Sequence, residues 1–212
     1  IVYLNLASMF LETGDYTKAA VYLKDAYKYL PAAKPAQSII YWNSKADYGF
    51  KTNDTVSVKM AIDSLQEYIL KNELSAVLKM EAELTLYDLK ANYAKNILND
   101  FDESLINFEK KLAVVQLAED DVEIANTYFQ LAEVYKEQNK NELAKKYFLQ
   151  AFILADSFDI VKVSLNASTA LANIYEAEGN KSVAYEYLLK WRNISDSNRS
   201  YEKLKYNSLL EG

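Results

Sequence analysis

The sequence predicts an all-α fold, a right-handed superhelical solenoid of about five helix-turn-helix pairs with a further C-terminal helix, and three observations carry that expectation. A small residue at Ala19, Ala61, Ser104, Ala144 and Ala184 is followed four positions later by a bulky one at Leu23, Leu65, Phe108, Phe148 and Leu188. The steps between the small residues are 42, 43, 40 and 40. At such a period each unit cannot bury its apolar face alone and must lay it on a neighbour. Finally, the 212 residues are 50% hydrophobic and hold only 4 Gly and 2 Pro, which leaves little chain for loops.

In the first pair, Tyr3, Leu6, Ala7 and Phe10 form one apolar stripe through spacings of three and four, and Gly14-Asp15 supplies the turn. A second helix runs through Ala19, Leu23, Ala26 and Leu30 and stops at Pro31, which lacks the amide proton a helix needs and clashes with the preceding turn. In the second pair, around Trp42, Ala46, Ala61 and Leu65, the turn reads as lengthened. In the third, around Leu89, Tyr93, Phe101, Ser104 and Phe108, the linker reads as about two residues longer. The fourth pair carries Tyr128, Leu131, Ala132, Tyr135, Ala144, Phe148 and Ala151. The fifth carries Leu171, Ala172, Tyr175, Gly179, Ala184 and Leu188, with Trp191 where a small residue is expected.

These residues resemble the tetratricopeptide repeat: Leu6-Ala7, Phe10, Gly14, Tyr16, Ala19, Leu23, Ala26 and Pro31 fall at that motif's spacings. Steps above 34 imply longer helices than in the shortest such repeats, with one helix over Ser75 to Leu98. The units expected are 1–33, 37–72, 75–118, 121–157 and 160–196, in one continuous array over 1–196. Residues 197–212 then form a capping or lead-out helix with Tyr201, Leu204 and Leu209 as its apolar contacts.

Composition excludes several chemistries. Cysteine and histidine are both absent, which removes thiol nucleophiles, disulfides, zinc sites built on either residue and imidazole as a base. A formal charge of −6 argues against nucleic-acid binding by this segment. The longest apolar run, Leu112 to Ala118, is broken by Gln116 and falls far short of the roughly 18 residues a membrane span needs. The chain begins at Ile1 with neither a Met nor a basic-then-apolar leader, so it reads as a piece of a longer protein.

Two acidic clusters invite a chemical reading. Glu119, Asp120, Asp121 and Glu123 could gather oxygen ligands for a hard cation, but they lack the alternate spacing and the Gly of a calcium loop. Asp100, Asp102 and Glu103 could be paired carboxylates for acid–base chemistry, yet nothing supplies the rest of a cleft. Both clusters precede helices, where carboxylates offset the positive end of the macrodipole, and capping explains them more simply. No Gly-rich phosphate loop or nucleophile elbow is present. The expectation is a non-enzymatic protein with no catalytic residues, no metal site and no cofactor.

Eighteen tyrosines are left to explain. Tyr3, Tyr135 and Tyr175 recur at motif positions and read as packing. Binding residues are expected on the other face of the first helix of each pair, which lines the concave groove in tetratricopeptide arrays. By register these are Leu4, Ser8 and Leu11, then Asn43, Asp47 and Phe50, then Tyr87, then Phe129, Glu133 and Lys136, and last Thr169, Asn173 and Glu176. Aromatic anchors beside amides and carboxylates suit an extended peptide or protein segment. The Lys, Asn and Arg clamp with which some tetratricopeptide proteins grip a terminal carboxylate has no counterpart, because Leu4 and Ser8 occupy that face.

The run Tyr187-Leu188-Leu189-Lys190, Asp196-Ser197 and Lys203-Leu204 resembles the exit from the repeat array of bacterial membrane-anchored regulators. That resemblance implies an extracytoplasmic (periplasmic) sensor domain on a larger protein. A membrane anchor and a kinase or transcription-regulating output would lie outside this segment, and homodimer pairing is one route by which a bound partner biases the output. A free-standing cytoplasmic adaptor or peptide receptor of the same fold is the alternative.

Overall fold

The computed structural model describes residues 1–210, with side chains as far as Tyr201. The described residues form ten α-helices and no strand. They are α1 (Val2–Thr13), α2 (Tyr16–Lys28), α3 (Pro35–Thr52), α4 (Thr55–Lys71), α5 (Ala76–Tyr93), α6 (Phe101–Leu117), α7 (Asp121–Glu137), α8 (Asn141–Ser157), α9 (Val161–Ala177) and α10 (Lys181–Leu210). A 3-10 turn at Leu30–Ala32 follows α2, and a π turn at Ala94–Leu98 extends α5.

The period of 40 has a simple origin. Helices α7, α8 and α9 each span 17 residues, and each turn ends in a residue forced into the left-handed region. Glu119, Asn139 and Asp159 have φ of 52°, 57° and 54°, and Gly179 has 79°. Gly14, Asn53 and Asn99 do the same earlier in the chain. A left-handed residue after the last helical turn lets the amides beyond it bond back to the helix, which satisfies carbonyls that would otherwise be orphaned. Asn180 N donating to Tyr175 O at 2.8 Å is one example.

Two lengths differ from the sequence reading. The α3–α4 turn of the second pair is not lengthened, since only Asn53 and Asp54 separate the helices. The extra residues lie instead between α2 and α3, where Pro31 enters the 3-10 turn and Pro35 opens α3. In the third pair the excess is absorbed by the 18-residue α5 and its 5-residue π turn, with Ser75 as the cap of α5. The segment from Ser75 to Leu98 is therefore one helical path, but not a uniform α-helix.

The helices group into two compact units, residues 1–111 and those from Leu112 onward, with the division inside α6. In the first, Leu4, Ala7, Leu23, Ala46, Ala61, Leu65, Ala82, Leu86 and Leu89 belong to one buried cluster. In the second, Ala125, Ala132, Ala144, Phe148, Ala151, Ala167 and Leu171 form another. Small residues at the crossings allow close approach and bulky ones fill the grooves. Leu188 departs from the pattern: Ala184 is buried, but Leu188 is 49% exposed because no further helix pair covers that face of α10 among the described residues.

The aromatics make a repeated contact inside the pairs. Phe10 stacks on Tyr22 at 5.5 Å, Tyr135 on Tyr147 at 5.4 Å and Tyr175 on Tyr187 at 5.7 Å. Each pair is twelve residues apart, so the first-pair counterpart of Tyr135 and Tyr175 is Phe10. Tyr3, grouped with them by sequence, instead stacks on Tyr29 at 5.7 Å.

The helix expected to begin at 197 is not separate. Residues 181–210 form one uninterrupted helix, α10, with no Gly or Pro to break it at 196. The contacts expected of Leu204 and Leu209, and residues 211–212, lie outside the described residues.

Candidate functional site

In the first unit, α1, α3 and α5 each offer one face to a common groove of about 450 Å³. Ser8, Leu11 and Glu12 come from α1, and Asn43, Ser44, Asp47 and Phe50 from α3. Asp88, Leu89 and Asn92 come from α5, and Asn96 from its π turn. The side chains share a face because spacings of three, four and seven return a helical residue to the same side. Five of the residues named by sequence, Ser8, Leu11, Asn43, Asp47 and Phe50, meet here.

Two others do not. Leu4 is buried in the core cluster and borders a separate, mostly apolar cleft with Tyr3, Tyr29 and Tyr41, one turn along α1 from Ser8 and beyond the end of the groove. Tyr87 is half-buried and absent from the groove lining, and its neighbour Asp88 takes the place. The register of the third unit is displaced by one residue, which turns a helical side chain by about 100°.

Sequence reasoning missed Glu12, Ser44, Asp88, Leu89, Asn92 and Asn96. A polar row at Asp88, Asn92 and Asn96, four residues apart, was the available signal on α5. Asn92 Nδ2 donates to the carbonyl of Asp88 at 2.9 Å and to its carboxylate at 3.0 Å. Lys111, on α6, donates to the same carboxylate at 2.8 Å.

The rim is held by Lys51, whose Nζ donates to the carbonyl of Leu11 at 3.3 Å and stands 3.6 Å from Asp47. Burial pushes the Asp47 carboxyl above its ordinary value, Lys51 opposes the shift, and the nearby charge of Glu12 adds to it. The groove thus combines amide and hydroxyl groups able to exchange hydrogen bonds with a peptide backbone, apolar surface at Leu11, Phe50 and Leu89, and an excess of carboxylate.

In the second unit, the remaining candidates lie on α7 and α9, which touch one another. Phe129 is half-buried with its ring edge on Phe148 at 5.3 Å, a packing contact. Glu133 and Lys136 pair at 3.7 Å, and Thr169 donates its hydroxyl to Leu165 O at 2.9 Å. Asn173 and Glu176 are exposed.

The acidic clusters are helix caps. Asp100 and Asp120 each accept the amide of the residue three positions on, Glu103 and Glu123, at 3.0 Å. Among the described residues no group of three His, Cys, Asp or Glu side chains is placed to hold a metal ion. No helix among them is long and apolar enough to cross a membrane.

Residues 2–31 and 125–155 match the tetratricopeptide repeat family model, so the chain carries that repeat in both units. No curated protein matches the sequence. Among solved structures, the chain is similar to the signal transduction ATPase with numerous domains (STAND) protein with a tetratricopeptide repeat sensor from Pyrococcus horikoshii. The TM-score is 0.76 at 18% identity, over 95% of this chain and 30% of that one. Aspartyl phosphate phosphatase F from Bacillus subtilis gives 0.75 at 15% identity, over 91% and 49%. The tetratricopeptide-like repeats of a putative kinesin light chain from Podosopora anserina give 0.61 at 16% identity, over 93% and 95%. The chain spans under a third of the first structure and about half of the second.

At these identities the likenesses speak to fold alone. The fold is an all-α tetratricopeptide-type helical repeat, a scaffold class typical of protein–protein interaction and generally without catalysis, although one structural neighbour is a phosphatase.

Proposed function

We propose that this chain is a non-catalytic scaffold that binds a protein or peptide segment. In this reading it is the partner-sensing domain of a bacterial membrane-bound signalling or transcriptional regulator, on the extracytoplasmic side of the inner membrane. The observation that carries the binding role is the groove itself: three successive first helices present amides, carboxylates and apolar side chains along one face. The sensing role draws support from a neighbour whose tetratricopeptide region is described as a sensor, and from the lead-out sequence.

The binding role is tested by panning a displayed random-peptide library on the 212-residue chain and on the double variant Asn43→Ala/Asn92→Ala. Enriched sequences that bind the parent and are lost by a variant of equal thermal midpoint support the groove; equal retention places recognition elsewhere. The sensing role is tested by reading the gene for about 300 residues past Gly212. A span of roughly 20 apolar residues followed by an output domain supports it. A stop codon soon after, with a Met-started cytosolic context upstream, replaces it with a free-standing adaptor.

A further inference from the structure

We infer that the groove of the first unit selects a polypeptide segment carrying a lysine or arginine, whose cationic head is received between Glu12 on α1 and Asp47 on α3. This rests on the peptide-binding reading and adds the chemistry of the partner.

The charges facing the groove do not cancel internally. Asp88 is matched by Lys111 at 2.8 Å. Asp47 has only Lys51, at 3.6 Å, and that ammonium is shared with the carbonyl of Leu11. Glu12 makes no ion pair among the described residues, and its charge acts on Asp47 across the helix boundary. Three carboxylates against two ammonium groups leave one negative charge unmatched in a partly desolvated recess, where a cation is worth more than on open surface.

A second observation points into the same space. Ser44 lies one helical turn before Asp47, is 6% exposed and lines the groove. Its hydroxyl stands on the groove lining as a further hydrogen-bonding group. A hydroxyl there can donate to or accept from the backbone of a ligand. Asn43 and Asn96 continue the polar lining, and the part-buried Phe50 gives apolar contact for the aliphatic stem that a Lys or Arg head requires. A bare inorganic cation would use none of that apolar surface.

The test uses three fluorescein-labelled decapeptides of alternating Leu and Ser, identical except for a central Lys, norleucine or Glu, titrated by anisotropy into the full 212-residue chain. The Lys peptide is expected to bind about tenfold tighter than the norleucine peptide, and the Glu peptide weakest. In Glu12→Gln/Asp47→Asn the Lys and norleucine peptides are expected to bind alike. The control Asp63→Asn/Glu67→Gln, on the exposed surface of α4, is expected to keep the preference, which separates the groove from the overall negative charge. Equal binding of the Lys and norleucine peptides to the parent overturns the cation preference and leaves the peptide reading standing. Absence of binding by all three overturns both. A Lys preference that survives Glu12→Gln/Asp47→Asn, or is lost equally in the control, overturns the assignment to these two carboxylates.

Discussion

Gly49 on α3 sits so close to Val58 on α4 that a Cβ added to the glycine would lie 2.6 Å from Val58 Cγ2 and 2.8 Å from the carbonyl oxygen of Asp54. Both residues are buried, and the Asp54 side chain caps α4 by accepting the amide of Ser57 at 3.0 Å. The pair therefore fixes how tightly the second helix pair closes next to the groove residue Phe50.

Gly49→Ala should destabilise the chain. An alanine gains about 1 kcal/mol in helix propensity over glycine. Forced overpacking against backbone costs about 1–3 kcal/mol, so a net loss of about 1 kcal/mol is expected. A lower urea midpoint for the first unit checks it. A midpoint that rises would mean the α3–α4 crossing is looser than this geometry.

The lengths of the elements explain why the fold was legible and part of the groove was not. Ala19, Ala61, Ala144 and Ala184 mark helix crossings whatever the loops do, since the need for a small side chain there is a packing constraint read directly from residue type. Register in the third pair depends on where a helix of α and π turns places each side chain, and a π turn leaves no mark in composition. The π turn places Asn96 on the groove, while Tyr87, inside regular α5, was chosen one residue out of register with Asp88. Leu4 shows a different limit, because periodicity reports a face and not the neighbour that covers it.

Lys111 is 5% exposed and its pairing with Asp88 ties α6 to the groove helix α5. Breaking the pair from one side leaves a charge in a poorly solvated place, whereas replacing lysine by an apolar residue of like length removes the need for one. Asp88→Asn should cost about 1–2 kcal/mol, less than a fully buried pair because Asp88 keeps contact with water. Lys111→Met should cost less than that. Paired denaturation curves decide the order, and the reverse ranking would show that the ammonium stabilises through contacts other than this carboxylate.

Glu119 holds φ of 52° at a position whose counterparts Gly14 and Gly179 have 79°. A side chain in the left-handed region is strained by about 1 kcal/mol, and glycine there costs only its greater freedom in the unfolded chain. Glu119→Gly should stabilise by about 0.5 kcal/mol, and Gly179→Ala should lose about 1 kcal/mol. Thermal melts of both variants give the two signs. Equal and opposite neutrality in both would deny the turns any role in setting the 20-residue spacing.

Asp47 links stability to the proposed binding role through its titration. Its carboxyl is raised in the folded chain, first by burial, above the ordinary value of 3.8. A raised group contributes stability that is fully present below 3.8 and lost as pH rises through the folded value, so the ionised carboxylate weakens the fold at neutral pH. Asp47→Asn should therefore be more stable than the parent at pH 7, by only a few tenths of a kcal/mol because the side chain is nearly half exposed and screened. Below 3.8, where the carboxyl is protonated in both states, the two should match. Urea midpoints at both pH values measure the difference. A less stable variant at pH 7 would mean that the ion pair with Lys51 outweighs burial, leaving Asp47 already satisfied without a partner. A more stable one would mark it as a charge kept at a cost to the fold, as expected of a residue whose cation arrives with a ligand.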